Sequence, residues 1–280
     1  MAIKVITDTS CDLPEQELDK YGIEMIPLKV TFANGETFLD RFELTPDVFV
    51  QKMAASKTLP KTSAPDPDTF LRYFKKGLEE KGTVLFVSLS SGLSSTLQTA
   101  LLACRMLGSN RVKVFDSLGA SLGVGIMAVR AVQMATRGAS INMILEQLAR
   151  LRSTRQVLFV LDTLENVVKG GRLTKFEGFA GNLLNIKPIL TGNSRGIPEI
   201  TEKVRGRRKA LKRLLEMVEE RGGTALKKKI VGISHVNCIQ DALLLRDEIV
   251  RRFKPEQVMV ADMSATIGTY AGEGAVMINF

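Results

Sequence analysis

Two patterns alternate along this chain: short runs of β-branched and aromatic residues, and longer stretches whose apolar positions recur three and four residues apart. The first pattern predicts buried strands and the second amphipathic helices. The clearest pairing begins at residue 83. TVLFVSLS over residues 83–90 is an apolar run bounded by Gly82 and by serines, and behind it Leu93, Leu97, Ala100, Leu101, Cys104 and Met106 or Leu107 recur at helical spacing. A strand buried on both faces is therefore followed at once by a helix lying on the sheet.

The same reading applied in order predicts a strand over residues 3–7, a polar turn over 8–12 and a helix from near Pro14. A strand over 24–32 precedes an Asn34-Gly35 turn, and Thr45-Pro46 supplies the N-cap and first position of a helix through residue 54. Residues 57–67, KTLPKTSAPDP, hold three prolines and read as a loop before a helix over 68–80. A strand over 111–115 and helices over 120–136 and 140–151 continue an alternation typical of parallel α/β folds.

From residue 156 the character changes. A strand over 156–161, a short helix over 164–169, a Gly170-Gly171 turn and a helix over 176–184 lead to a hairpin, with strands 186–191 and 197–203 around a turn at 193–196. Helix 207–220, strand 229–234, helix 239–253, strand 257–262 and a terminal strand 275–280 complete the chain. The predicted organisation is two α/β domains, residues 1–155 and a smaller one over 156–280.

Composition narrows the class. Hydrophobic residues make up 45% of the 280 positions and charged residues 25%, as in an ordinary globular protein with a sizeable core. Cys11, Cys104 and Cys238 are odd in number and far apart, which argues against a disulfide framework and fits a reducing compartment. MAIKVITDTS reads as a strand and turn rather than a signal segment, and no later run approaches the length of a membrane span. The expected location is cytoplasmic.

The formal charge of +9 raises nucleic acid, a membrane surface and an acidic protein as partners. Much of it is local: Lys203, Arg205, Arg207, Arg208, Lys209, Lys212 and Arg213 cluster, with Lys227 to Lys229 adding a second group. Leu211, Leu214, Leu215 and Val218 give the first cluster an apolar stripe, so its cations occupy the outer face of a packed helix. That face is either simply solvated or a docking surface; no aromatic interleaving points to DNA.

Chemical signatures are sparse. Gly123-Val-Gly125-Ile-Met-Ala128 has the spacing of a dinucleotide fingerprint, but it lies inside a helical stretch rather than in the turn after a strand, so close packing explains it. P-loop and HExxH motifs are absent, no GxSxG stands between a strand and a helix as a nucleophile elbow would, and neither a cofactor nor a metal is predicted. His235, the only histidine, ends a strand with no cluster of ligand residues nearby and reads as structural. Ser91, Ser94, Ser95 and Thr96 crowd the start of the helix after residue 90, where free N–H groups suit capping or an anion. Thr62 and Ser63 are loop hydroxyls of the same kind, and Arg172 beside two glycines either reaches an anion or is a surface arginine after a helix end, the commoner case.

Taken together, VITDTSCDLP (5–14), KTSAP (61–65), SLSSGLSSTLQTA (88–100), FDSLGAS (115–121), KGGRLT (169–174), NIKPIL (185–190), KVRGRRKAL (203–211) and GTYAGEG (268–274) resemble the DegV family. Its members include the fatty-acid-binding subunits of the bacterial fatty acid kinase. The resemblance spans the chain. It implies a three-layer α/β/α N-terminal domain with a mainly parallel sheet, a smaller C-terminal domain with a mixed sheet, and one long-chain fatty acid in an internal tunnel. It implies no catalysis by the chain itself: a separate kinase subunit phosphorylates the presented carboxyl group, giving an acyl phosphate for phospholipid synthesis.

By the same likeness Thr62, Ser94 and the position of Tyr270 hold the carboxyl group, with Ser63, Ser91 and Ser95 as neighbours. Arg172 resembles the arginine at the tunnel mouth, and the segment around Arg205 resembles the kinase-docking surface. A transient membrane contact fits the charge; a nucleic-acid partner is not expected. The family usually has histidine where this chain has Tyr270 and glycine where it has Ser95. Two other readings stand beside the carrier: a transferase or hydrolase using the serine-rich helix start on a bound anion, and a basic nucleic-acid-binding regulator. The first lacks an activating base in any recognisable motif, and the second rests on charge alone.

Overall fold

The computed structural model describes residues 2–173 and 185–280, so the helix expected over 176–184 lies outside the described residues. In chain order the first part comprises β1 (Ile3–Asp8), α1 (Glu15–Tyr21), β2 (Glu24–Ile26), β3 (Lys29–Thr31), β4 (Thr37–Leu39), α2 (Pro46–Ala55) and β5 (Lys61–Ser63). It continues through α3 (Pro67–Lys81), β6 (Thr83–Ser88), α4 (Thr96–Leu107), β7 (Val112–Asp116), α5 (Leu122–Thr136) and α6 (Ile141–Thr154). The second part holds β8 (Val157–Val160), α7 (Glu165–Lys169), β9 (Ile186–Gly192), β10 (Pro198–Arg205) and α8 (Arg207–Gly222). β11 (Ile230–His235), α9 (Ile239–Phe253), β12 (Gln257–Asp262), α10 (Ala265–Ala271) and β13 (Val276–Asn279) close it.

Among the described residues the strands make three sheets. The parallel one has the order β2-β1-β6-β7 and is covered on both faces. Every residue of β6 is buried, as its unbroken apolar sequence requires. Phe70 and Phe74 of α3 and Ala100 and Ala103 of α4 pack with Val84 and Phe86 on one face. Met127 and Ala128 of α5 and Ile144 and Leu148 of α6 pack with Leu85 and Val87 on the other. Three layers result. The chain runs outward from β1 to β2 and returns to β6 on β1's other side, so a crevice opens beyond the carboxyl ends of β1 and β6, where such sheets bind ligands.

The mixed sheet has the order β10-β9-β8-β13-β11-β12, with β11 and β12 parallel and the other neighbours antiparallel. Leu158 and Val160 of β8 face a core built with Leu211, Leu214 and Leu215 of α8 and Leu245 and Ile249 of α9. The alternate residues of β8 point the other way, toward the first part of the chain. A third, antiparallel sheet, β4-β3-β5, packs with α2 against α10, so the two parts interleave there.

Three expectations are corrected here. The strand predicted over 24–32 is two strands in two sheets: Pro27 has no N–H to continue a ladder, and Leu28 N donates to Thr9 Oγ1 at 3.1 Å instead, turning the chain out of the parallel sheet. The proline-rich loop contains β5, whose Thr62 is opposite Val30 of β3. Residues 265–271, given no element by the sequence reading, form α10. Its first N–H groups are capped from far away: Asp12 Oδ1 accepts from Ser264 N at 2.8 Å, and Asp40 accepts from Ala265 N at 3.0 Å and Thr266 N at 3.1 Å.

Other readings hold. The Gly123/Gly125 spacing is a packing device: a Cβ on Gly123 would stand 2.6 Å from Asn279 Oδ1, and one on Gly125 2.6 Å from Leu13 Cγ. The basic helix α8 buries its leucine stripe, and Arg213 on its outer face pairs with Glu202 and Glu220. Among the described residues no helix is long and apolar enough to cross a membrane.

Candidate functional site

The crevice beyond β1 and β6 is a cavity of about 270 Å³. Its floor is the free face of the mixed sheet: Val157, Phe159 and Leu161, alternate residues on and just past β8, all line it, with Met277 opposite Phe159 on β13. Leu28, Leu89, Leu93, Val167, Ile197 and Met263 supply more apolar wall. The hairpin turn between β9 and β10 closes one side. It docks through Ser90 Oγ, which donates to Gly196 O at 3.0 Å, and Gly196 has a positive φ of 71° with Leu118 O only 2.5 Å from where a Cβ would be.

Polar groups gather at the end near α10. Thr62 on β5 and Tyr270 on α10 share a hydrogen bond, Oγ1 to OH, of 2.6 Å. The Arg172 guanidinium lies over the Tyr270 ring, 4.4 Å from its centre, and donates to Gly170 O at 2.6 Å and Leu93 O at 3.2 Å. The ring also lies against Gly170, where a Cβ would fall 2.3 Å from Tyr270 Cδ1. Ring position is thus set by a glycine, a cation and a hydrogen bond together.

Ser63, Ser94 and Ser95 also line the cavity. Ser94 Oγ accepts from Thr96 N at 3.2 Å and pairs with Thr96 Oγ1 at 2.8 Å, so it combines a local capping role with a place in the wall. The helix begins at Thr96, later than the serine pattern suggested, and Ser91 is outside the cavity lining, its backbone N–H donating to Asp116 Oδ1 at 3.2 Å. Arg205 is exposed on β10, also outside the lining. Thr266, which the sequence reading did not single out, lines the cavity with a buried Oγ1 that has no hydrogen-bond partner among the described residues. Its signal lay in position alone, four residues before Tyr270 and hence one helical turn away.

Beneath this end sits a buried acidic frame. Asp8 accepts from Leu89 N at 2.9 Å, joining β1 to the end of β6, and burial pushes its pKa up to about 6 despite that bond and those from Ser10. Asp12 accepts from Ser121 Oγ at 2.5 Å and Ser264 N, and burial raises it to about 7. Asp40, capping α10, is likewise raised by burial. Arg41 stands among them, donating to Leu13 O at 2.7 Å. These acids act on the cavity through the backbone they hold: Asp8 fixes Leu89, and Asp12 and Asp40 fix the helix that carries Thr266 and Tyr270.

The arrangement suits binding. An apolar channel ending in hydroxyls and a guanidinium matches a long hydrocarbon with an anionic head. The Ser94 hydroxyl is bonded to a threonine rather than to a base, and His235 lines a different cleft of about 260 Å³, buried at the end of β11 with Nδ1 3.4 Å from Asp262 Oδ1. Among the described residues no group of three or more His, Cys, Asp or Glu side chains can hold a metal ion.

Comparison with known proteins agrees with this fold. The family described as "Uncharacterised protein, DegV family" matches residues 2–280. A DegV domain-containing protein of Listeria innocua is 32% identical, covering 98% of this chain and 96% of its own. A solved fatty-acid-binding DegV family protein from Thermus thermophilus is 33% identical with a TM-score of 0.92, covering 100% of this chain and 99% of its own. DegV of Bacillus subtilis, described as a fatty acid binding protein, superposes at a TM-score of 0.89 with 30% identity, covering 100% and 98%.

Proposed function

Because the chain belongs to the DegV family, we propose that it binds one long-chain fatty acid in the cavity and presents the carboxyl group to a separate kinase subunit. The observation that carries this reading is the hydrogen-bonded Thr62–Tyr270 pair at the end of an otherwise apolar cavity. Thr62, Tyr270 and Ser94 hold the carboxylate, Arg172 contributes charge beside them, and the acyl chain lies along Val157, Phe159 and Leu161. Ser63 and Ser95 border the head group. Tyrosine in place of the family's usual histidine donates a hydrogen bond without the positive charge a histidine can carry, which leaves the positive charge beside the head group to Arg172 on the Tyr270 ring.

The chain supplies binding and orientation; phosphoryl transfer belongs to the partner. Exposed Arg205, with Arg208 and Lys209 at the start of α8, faces outward as a docking surface for an acidic partner and for transient contact with an anionic membrane. The setting is the cytoplasm, where the fatty acid and ATP meet. Calorimetric titration with palmitate and with methyl palmitate tests the head-group assignment: the acid binds at least tenfold more tightly, because its charge engages donors at roughly 1.5–3 kcal/mol each. Equal affinity for acid and ester contradicts it.

A further inference from the structure

The cavity has a second end. β8 gives the axis: Leu161 lies near α7 and α10, where Tyr270 sits, and Val157 marks the opposite end, about 13 Å away at roughly 3.3 Å per residue. Just before Val157 stands Arg155. Its guanidinium donates from Nη1 to Ser117 O and from Nη2 to Leu118 O, clamping the loop after β7, and a Cβ on Gly119 would be 3.4 Å from Nη1.

Beyond Arg155 is another chamber. About 70 Å³ in volume, it has a mainly apolar wall that includes Ile126 and Met127 of α5, Leu151 of α6 and Phe280, although Lys228 and Lys229 also line it. Arg155 lines both this chamber and the main cavity. Resting on the fatty-acid reading above, we propose that Arg155 is the residue that sets acyl chain length, its clamped guanidinium ending the tunnel opposite Tyr270 and shutting the ligand's methyl end out of the apolar chamber behind.

The physical case is a difference in what a longer chain must displace. Passing a methyl group beyond Arg155 breaks two charge-assisted hydrogen bonds to carbonyls and pushes a cation aside, whereas the space behind rewards each methylene with about fourfold in affinity. Burial and neighbouring Arg152 lower the Arg155 pKa only to about 10, so the barrier is charged at neutral pH. An apolar residue there joins the two spaces into one longer channel.

The test compares chain-length profiles, by competition among myristate, palmitate, stearate, arachidate and behenate, for the wild type, Arg155→Met, Leu151→Trp and the double variant. Arg155→Met is expected to move the preferred acid up by about two to four carbons, with about tenfold gain for an acid two methylenes longer. Leu151→Trp, which fills the rear chamber, leaves the wild-type profile unchanged and cancels the shift in the double variant. If a folded Arg155→Met keeps the wild-type profile, or if Leu151→Trp alone shortens the preferred chain, Arg155 is not the end wall. The second comparison stands even where Arg155→Met does not fold. A wild type that binds none of these acids overturns the fatty-acid reading itself, whereas binding with an unshifted profile overturns only this inference.

Discussion

Thr62 and Tyr270 are 208 positions apart in sequence, and their hydroxyl oxygens are 2.6 Å apart. β5 brings one and α10 the other. Two hydroxyls this close form a ready donor site for a carboxylate, since each can turn its proton from the other hydroxyl to a carboxylate oxygen. Thr62→Val and Tyr270→Phe are each expected to weaken fatty-acid binding by about ten- to a hundredfold, with much smaller effects on the methyl ester. A double-mutant cycle by titration should give a combined loss smaller than the sum, because either change disrupts the same pair. Additive losses, or equal losses for acid and ester, would sink the shared-site account.

Gly170 tests the placement of the ring without touching the hydroxyl. A methyl group there meets Tyr270 at 2.3 Å, and the backbone at Gly170 is right-handed, so the substitution strains the ring rather than the chain. Gly170→Ala is expected to reduce fatty-acid affinity at least as much as Tyr270→Phe. In a Tyr270→Ala background, where no ring is present to collide, adding Gly170→Ala should change little further; an undiminished second loss would mean that Gly170 matters for some other reason.

Two arginines from the same resemblance separate in the structure. Arg172 stacks on Tyr270 within the cavity wall, whereas Arg205 is exposed on β10. Arg172→Ala is therefore expected to weaken retention of a fatty acid by about tenfold, through lost charge and a freed tyrosine ring. Arg205→Ala leaves affinity within about twofold and instead slows acyl phosphate formation when a kinase partner is supplied, with a smaller difference at high salt. Reversed effects of the two substitutions on lipid retention would contradict this division.

The buried acids give a pH dependence with a defined sign. Asp12 has a folded pKa near 7, above its ordinary value of 3.8, so the protonated form favours the folded state. That stabilisation is complete below about pH 4 and is lost as pH rises through about 7. Asn in its place is permanently neutral, suits the positive φ of 52° at this position, and can still accept from Ser264 N. Thermal unfolding of the wild type and Asp12→Asn should diverge with rising pH, the variant gaining on the order of 3 kcal/mol relative to the wild type between about pH 5 and pH 8. A constant difference across that range would show that Asp12 does not titrate there.

The sheet and helix pattern was legible wherever one periodicity ran long enough. α9 and β12 fall on the expected residues, and the six buried positions of β6 follow from its sequence. What escaped was structure specified from a distance. α10 is seven residues long and contains Gly268, and beyond its N-cap Ser264 the groups that cap it are the distant carboxylates of Asp12 and Asp40, so the local signal for its start is a single serine. β5 is three residues long and exists because Val30 is beside it. The candidate hydroxyls were legible only as separate motifs; that Thr62 meets Tyr270, that Ser91 turns away, and that Thr266 joins the wall depends on packing between the two halves of the chain.

The central claim is that the cavity holds a fatty acid, and the most direct measurement is denaturing extraction of the purified protein followed by lipid mass spectrometry. Each buried methylene contributes roughly 0.8 kcal/mol, so a long chain is retained through purification. The expected result is a long-chain fatty acid at close to one per chain, depleted in Tyr270→Phe prepared in parallel. An empty wild-type preparation that also fails to take up added palmitate or oleate would contradict the account.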